Sequence, residues 1–357
     1  MRIIELIPSL QVGGAERFVV DLSNSFAKKG HEVVLVTLYD KSPDSVFEDE
    51  LKGVRRIELH KKLGLDFQCL LSVLKLITQV KPDIVHSHGE AIKYLLFPAI
   101  LYKRCNYYAT IHSDAKYDSG SGLNLWIRSF LYERHLVKPV TISQISRDSF
   151  RQLFDLDAPL IENGCTNYPK NENTVPDYHS DVDYLFVHVA SIQPVKNQVV
   201  LIRAFEQLLE KGIKARLLFL GRAHDAAIYA ELEKHWSDYI VYLGQRSNVR
   251  DYMHKADAFC LTSITEGMPI TVIEALSVGC PPLVTPAGGC VNLVQNGVNG
   301  LISDSFSADS FFTVLERFAY LTDDERKEMR LKAMRSFEDR YNIDITADRY
   351  LDLFLAK

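Results

Sequence analysis

Two textures alternate along the first half of the chain. Short, nearly unbroken apolar runs, such as Ile3 to Ile7, Val33 to Leu38 and Tyr107 to Ile111, are separated by stretches where apolar residues recur every three or four positions. The spacing of Phe18, Leu22 and Phe26 predicts a helix over Ala15 to Lys29, stopped by Gly30. Leu70 to Val80 reads as another helix, Asp83 to His86 as a strand, and Val140 to Ser143 as a strand leading into a helix from Gln144. Strands apolar on both faces are covered on both sides, so the pattern predicts a parallel, doubly wound sheet. The periodicity stops after Asn163-Gly164, and 166–183 reads as a linker rich in Asn, Pro, Glu, Asp and Tyr. A second alternation begins at Tyr184, with strands at Leu217 to Gly221 and Asp257 to Thr262. From Asp324 the chain reads as helical to its end, with Tyr350, Leu351, Leu353 and Phe354 clustered late. The expected domains are 1–165 and 184–339.

Composition agrees with two domains, since 357 residues exceed what one core normally serves. Apolar residues at 47% and charged residues at 24% are ordinary for a soluble globular protein. The net charge of −5 divides into +2 over 1–170 and −7 over 171–357. Neither half is basic enough for a nucleic-acid partner, and the mildly basic first half is either a face for an anionic membrane surface or a randomly uneven distribution of charge. Six cysteines (69, 105, 165, 260, 280, 290) form no C-x-x-C pair and several lie in apolar runs. They read as buried thiols of a reducing compartment. The start, Met1 to Pro8, is too short and too interrupted by Glu5 for a signal peptide, and no run approaches the roughly 20 residues of a membrane span. The expected location is the cytosol.

The most informative chemistry is a glutamate pair. A strand ends at Thr262, Glu266 follows in a loop, Pro269 suits a first helical position, and Glu274 lies over a turn into the helix. Eight residues at helical rise separate the carboxylates by about 12 Å. Glycosidase pairs need about 5–5.5 Å or about 6.5–9.5 Å. The longer spacing suits two contacts on one extended ligand, such as a sugar nucleotide, with helix N–H groups offered to the diphosphate between them. Gln11 to Glu16 places Gly13-Gly14 between a strand and a helix, as a tight turn or as a loop that lets a ligand approach backbone N–H groups. It is not a dinucleotide fingerprint. His112 closes a strand and is either structural or a site residue. His86 and His88 share a strand face as some metal ligands do, but no further Asp/Glu/His set stands out at ligand spacing, so no metal is expected. Asp181-Val182-Asp183 reads as a charged approach to a strand and not as a D-x-D metal motif.

Glu266 and Glu274, followed by Gly279-Cys280-Pro281-Pro282, Gly288-Gly289 and Asn296-Gly297-Val298-Asn299-Gly300, resemble the E-x7-E and downstream blocks of retaining GT-B glycosyltransferases, above all family 4. The resemblance implies an α/β GT-B fold, with two Rossmann-like doubly wound domains facing across a cleft. The last helix, 340–357, would complete the first, acceptor-side domain, and the second would take the donor. It implies that Glu274 holds the ribose, Glu266 the donor sugar, and Lys196 the diphosphate together with the helix start at Ile270. Donor contacts are implied at Gly13, Gly14, Lys196, Asn197, Arg222, Met268, Pro269, Ile270, Thr271 and Glu274, and a sugar contact at His112. Ser191 stands where the family has a clamp arginine, and Arg222, just after the next strand, is either its replacement or a solvated surface arginine. The implied reaction is metal-independent and needs no cofactor. It moves a sugar from a nucleotide-diphosphate sugar to a glycan or lipid-linked acceptor, as in cell-surface polysaccharide synthesis. A GT-B sugar-nucleotide epimerase is the rival enzyme class. A hinged binding protein of the periplasmic type is the rival outside enzymes, disfavoured by the lack of a signal peptide.

Overall fold

The computed structural model describes residues 1–356 apart from 43, 44, 46, 65 and 168–174. Part of the sequence-predicted linker therefore lies outside the described residues. The chain divides into two compact units, Met1–Thr166 with Ile343–Lys357, and Asn167–Asn342.

In the first unit six parallel strands, β1 (Arg2–Ile7), β2 (Glu32–Thr37), β3 (Arg55–Glu58), β4 (Ile84–His88), β5 (Asn106–Ile111) and β6 (Lys138–Thr141), lie in the order β3-β2-β1-β4-β5-β6. The apolar positions of β1, β2, β4 and β5 are buried on both faces, which explains their unbroken hydrophobicity. The helix Gly14–Lys28 buries Phe18, Leu22 and Phe26. The helix Ile343–Leu355 lies beside it, tied by Ser25 Oγ to Asp344 at 2.6 Å and by Lys28 to the same carboxylate at 2.8 Å.

The second unit repeats the plan. Its strands are β7 (Tyr184–Val189), β8 (Ala215–Leu220), β9 (Ile240–Gly244), β10 (Ala258–Leu261), β11 (Pro282–Val284) and β12 (Leu301–Ile302), ordered β12-β11-β10-β7-β8-β9 and parallel throughout. Residues 175–183 are held to this unit: Arg216 donates to Asp181 at 2.8 and 3.0 Å and to Tyr178 O at 2.5 Å. In both sheets the order reverses beside the first strand, between β1 and β4 and between β7 and β10. The carboxyl ends of strands at such switch points form the crevices where α/β sheets bind ligands.

The chain end departs from the expected single helix. Helix Asp323–Ser336, started by a Thr322–Glu325 capping box, gives way to a π turn at Phe337–Tyr341 and an extended Asn342 before Ile343–Leu355. The flanking residues serve different cores. Tyr341 donates to Asn292 O in the second unit, and Ile343 N–H to Cys165 O in the first.

Candidate functional site

The loops after β7 and β10 are stitched together. Ile264 N–H donates to Val195 O at 2.8 Å, and Thr262 Oγ1 donates to the carbonyls of Lys196 and Asn197 at 3.1 and 3.2 Å. This brings the Lys196 ammonium to 2.7 Å from Glu266 Oε1, which also accepts from Ser263 Oγ at 2.5 Å. The Lys196 and Glu266 side chains are 19% and 10% exposed, so their charges are paired where water only partly screens them. Asn197 holds a left-handed backbone (φ 53°) as it starts the helix Gln198–Glu210.

The Gly288-Gly289 turn braces the Glu266 loop from below. Gly288 sits at φ +49°, and a Cβ there would fall 1.8 Å from Glu266 O; at Gly289 it would fall 2.0 Å from Gly267 O. Only glycine permits this approach, and Gly289 N–H donates to Glu266 O at 3.0 Å. Thr285 Oγ1 adds a bond to Ser263 O at 2.6 Å. The Asn296–Gly300 block is structural. Asn299 is buried and donates to Leu293 O and Ser336 Oγ, and a Cβ at Gly300 would meet Pro282 O at 2.3 Å.

Helix Ile270–Ser277 starts without a side-chain cap; Val272 N–H donates to Pro269 O at 3.2 Å, which leaves the N–H groups of Ile270 and Thr271 to other partners. Pro269 is its N-cap and not, as the sequence suggested, its first helical residue, because its ψ of 118° is extended. Met268 and Ile270 are buried beneath the loop, and Thr271 is half-buried. One turn on, Glu274 is 6% exposed and Oε1 accepts two bonds from Arg250, from Nη2 at 2.8 Å and Nε at 3.1 Å. Arg222 is exposed directly after β8, and its carbonyl accepts from Ile192 N–H in the Lys196 loop at 2.8 Å.

The first unit holds a separate cluster at its own switch point. Glu5 (β1) and His86 and His88 (β4) are fully buried, with Glu5 Oε2 at 3.0 Å from His86 Nδ1 and 2.7 Å from His88 Nε2. His88 Nδ1 lies 2.9 Å from Nε2 of His112, which follows β5. Burial pushes the His112 imidazole well below its ordinary pKa, and His88 and His86 push the same way. Gly13 caps the helix Gly14–Lys28 in an extended conformation. Glu16 curls back over it, so that a Cβ at 13 would meet Glu16 Oε2 at 2.2 Å.

The expected residues thus form two groups. Lys196, Asn197, Glu266, Met268, Pro269, Ile270, Thr271, Glu274 and Arg222 belong to the second unit, and Gly13, Gly14 and His112 to the first. Sequence reasoning missed Arg250, Ser263 and Glu5. Arg250 opens a short helix after β9, where a cation facing a strand-end crevice was the available signal. Glu5 also overturns the expectation that no acidic partner joins His86 and His88, because the three ligand-type atoms lie within 4.8 Å of one another. Each ring nitrogen of those histidines already has a hydrogen-bond partner, which accounts for the cluster without an ion. Asp181, half of the D-x-D-like pair, is engaged by Arg216.

Two six-stranded parallel sheets of Rossmann-like topology, with the candidate residues at their strand ends, match the GT-B class of fold. A structure of Anabaena Alr3699/HepE in complex with UDP-glucose superposes with a TM-score of 0.81 at 19% identity, covering 99% of each chain. The family model described as Glycosyltransferase Family 4 matches residues 12–165, and that described as Glycosyl transferases group 1 matches 172–335. The chain belongs to the group 1 and family 4 glycosyltransferases, and the epimerase reading is not favoured. It is 24% identical over 396 residues to the Escherichia coli UDP-Gal:alpha-D-GlcNAc-diphosphoundecaprenol alpha-1,3-galactosyltransferase, covering 99% of this chain and 97% of the relative. To the N-acetyl-alpha-D-glucosaminyl L-malate synthase of Bacillus anthracis it is 22% identical over 361 residues, covering 96% and 94%.

Proposed function

We propose that this glycosyltransferase moves a sugar, with retention of anomeric configuration and without a metal ion, from a nucleotide-diphosphate sugar to a lipid-linked glycan. The observation that carries this reading is the Lys196–Glu266 pair, held rigidly at a switch point beside an uncapped helix start. In this reading Lys196 and the N–H groups of Ile270 and Thr271 take the diphosphate, supplying the positive potential a metal supplies elsewhere. Arg222 adds the second cation that Ser191 lacks, supported by its backbone bond to the Lys196 loop. Glu274, oriented by Arg250, accepts from the ribose hydroxyls. Glu266, released from Lys196 as the diphosphate takes its place, stabilises positive charge developing near the anomeric carbon. His112 hydrogen-bonds a hydroxyl of the transferred sugar. The bond from the anomeric carbon to the phosphate oxygen breaks as the bond to the acceptor oxygen forms on the same face, and the acceptor proton passes to the leaving diphosphate. Glu16 already lies over the helix start at Gly13, so the Gly13-Gly14 loop is better suited to a hydroxyl-bearing acceptor than to a second anion.

The diphosphoundecaprenol substrate of the E. coli relative supports a lipid-linked acceptor. So does the surface of the first unit. Helices Phe67–Val80, Leu96–Leu101 and Leu123–Glu133 pack in series and expose Phe67 (65%), Leu71 (61%), Leu101 (66%) and Trp126 (58%). Lys62, Lys103 and Arg104 are exposed on the same unit. Apolar side chains with basic neighbours suit an anionic bilayer surface, and this supports a reading in which the reaction takes place at the inner membrane face. Among the described residues no helix is long and apolar enough to cross a membrane. The UDP-linked donors of the E. coli relative and of HepE make UDP-sugars the first to test. Proton NMR of the product formed from an α-linked UDP-sugar and a diphospholipid-linked acceptor tests the reading. An α-glycoside is expected, and a β-glycoside would end the retaining assignment.

A further inference from the structure

Glu5 is a fully buried carboxylate that, among the described residues, is hydrogen-bonded by His86 and His88 and by no lysine or arginine. Its bonding dictates the proton positions around it. Burial pushes its carboxyl up, but the two imidazoles offset this and hold it below its ordinary value, so it is an acceptor only. His88 must therefore donate from Nε2, at 2.7 Å, which leaves its Nδ1 as an acceptor. Burial lowers the His88 pKa to about 4, with His86 adding to the effect, so the ring stays neutral and Nδ1 cannot donate. The atom 2.9 Å from that Nδ1 is His112 Nε2, which must then carry a proton. His86 completes the set, donating from Nδ1 to Glu5 while its Nε2 meets Thr110 Oγ1 at 2.7 Å, and Thr110 in turn meets the Tyr350 hydroxyl at 2.8 Å. His112 Nδ1 is the one ring nitrogen of the three histidines left without a partner among the described residues.

We infer that Glu5 and His88 are positioning residues for glycosyl transfer, fixing His112 in the Nε2–H tautomer so that its Nδ1 accepts the hydrogen bond of a donor-sugar hydroxyl. The inference rests on the reading of His112 as a sugar contact. The buried chain Glu5–His88–His112 gives that reading a direction. His112 receives a hydrogen bond and does not supply one, because a neutral ring with its only N–H turned inward has no proton to offer. The wrong tautomer would set N–H against O–H and leave the hydroxyl without its acceptor.

Long-range 1H–15N NMR of histidine-labelled enzyme reads the tautomer directly, with His112 assigned by its loss in His112→Gln. The expected wild-type signal is a neutral ring protonated on Nε2. A ring protonated on Nδ1, or on both nitrogens, at neutral pH overturns the inference without any variant. Glu5→Gln offers His88 a donor as well as an acceptor, so it should populate both His112 tautomers. Turnover should fall in proportion to the Nδ1–H fraction, with affinity for free nucleoside diphosphate unchanged. Lost turnover in Glu5→Gln with the His112 tautomer unaltered would assign Glu5 a merely structural role. The underlying reading fails separately: His112→Gln should lower kcat about 10- to 100-fold, the loss of one good hydrogen bond, and full turnover there would remove the sugar contact itself.

Discussion

Replacing Lys196 by alanine separates what the ion pair does for the fold from what the lysine does for the ligand. At 2.7 Å and an effective dielectric constant near 20, the gross attraction to Glu266 is about 6 kcal/mol. Removing both groups from water offsets most of it, leaving the ~1.5–3 kcal/mol typical of a hydrogen bond between charged groups. Without ligand, Lys196→Ala leaves the Glu266 carboxylate with Ser263 as its hydrogen-bond donor, and 10% exposure limits rescue by water. A destabilisation of about 1–3 kcal/mol is expected, visible in the denaturation midpoint. With ligand, the diphosphate loses its one lysine from that loop, so titration calorimetry should show nucleoside diphosphate binding about 10- to 150-fold more weakly. The parent nucleoside should bind both proteins alike. Arg222→Ala should show the same diphosphate-specific loss, to a smaller extent. Equal affinity of wild type and Lys196→Ala for the diphosphate would refute the clamp, whatever happened to stability.

Three further outcomes are expected. Glu266→Gln keeps the fold and most nucleotide affinity but lowers kcat by on the order of 10²-fold or more, because the lost charge acts mainly in the transition state; near-normal turnover in steady-state assays would remove Glu266 from the chemistry. On the proposed reading, in which Lys196 and the helix start take the place of a metal, turnover survives excess EDTA; complete loss that Mg²⁺ or Mn²⁺ restores would require a metal after all. The enzyme sediments with phosphatidylglycerol vesicles more than with phosphatidylcholine vesicles, less so at high salt, and Leu101→Glu with Trp126→Glu abolishes this. Equal sedimentation of variant and wild type would place membrane contact elsewhere or nowhere.

The fold was legible where periodicity was strong. Strand-like apolar runs and the Phe18–Leu22–Phe26 stripe reflect burial on both faces of a parallel sheet, and Gly30 stops its helix in a left-handed turn (φ +86°). Edge strands were harder. β3 opens with Arg55-Arg56 and has only one neighbour, β2, so its sequence carries no fully buried run. The break at Asn342 was hidden because the residues around it are helix-compatible and only tertiary contacts separate them. Among candidate site residues, local context placed Glu266 and Glu274 on a loop and a helix. Partners from distant sequence could not be read. Glu5 meets His86 and His88 across 81 and 83 positions, and in the sequence it looked only like an interruption of a strand. Arg250 and Glu274 meet because α/β connections return each strand end to the same edge of the sheet.

Binding of an intact nucleotide-diphosphate sugar by the second unit is the central claim, and a thermal-shift panel of sugar nucleotides reads it directly. At 100 times its dissociation constant the true donor should stabilise the wild-type enzyme by about 2.7 kcal/mol. Glu274→Ala should lose most of this shift for donor and free nucleotide alike, because a ribose contact is the same in ground and transition states. No stabilisation by any sugar nucleotide, or an undiminished shift in Glu274→Ala, would contradict the placement of the donor along Lys196, Ile270 and Glu274.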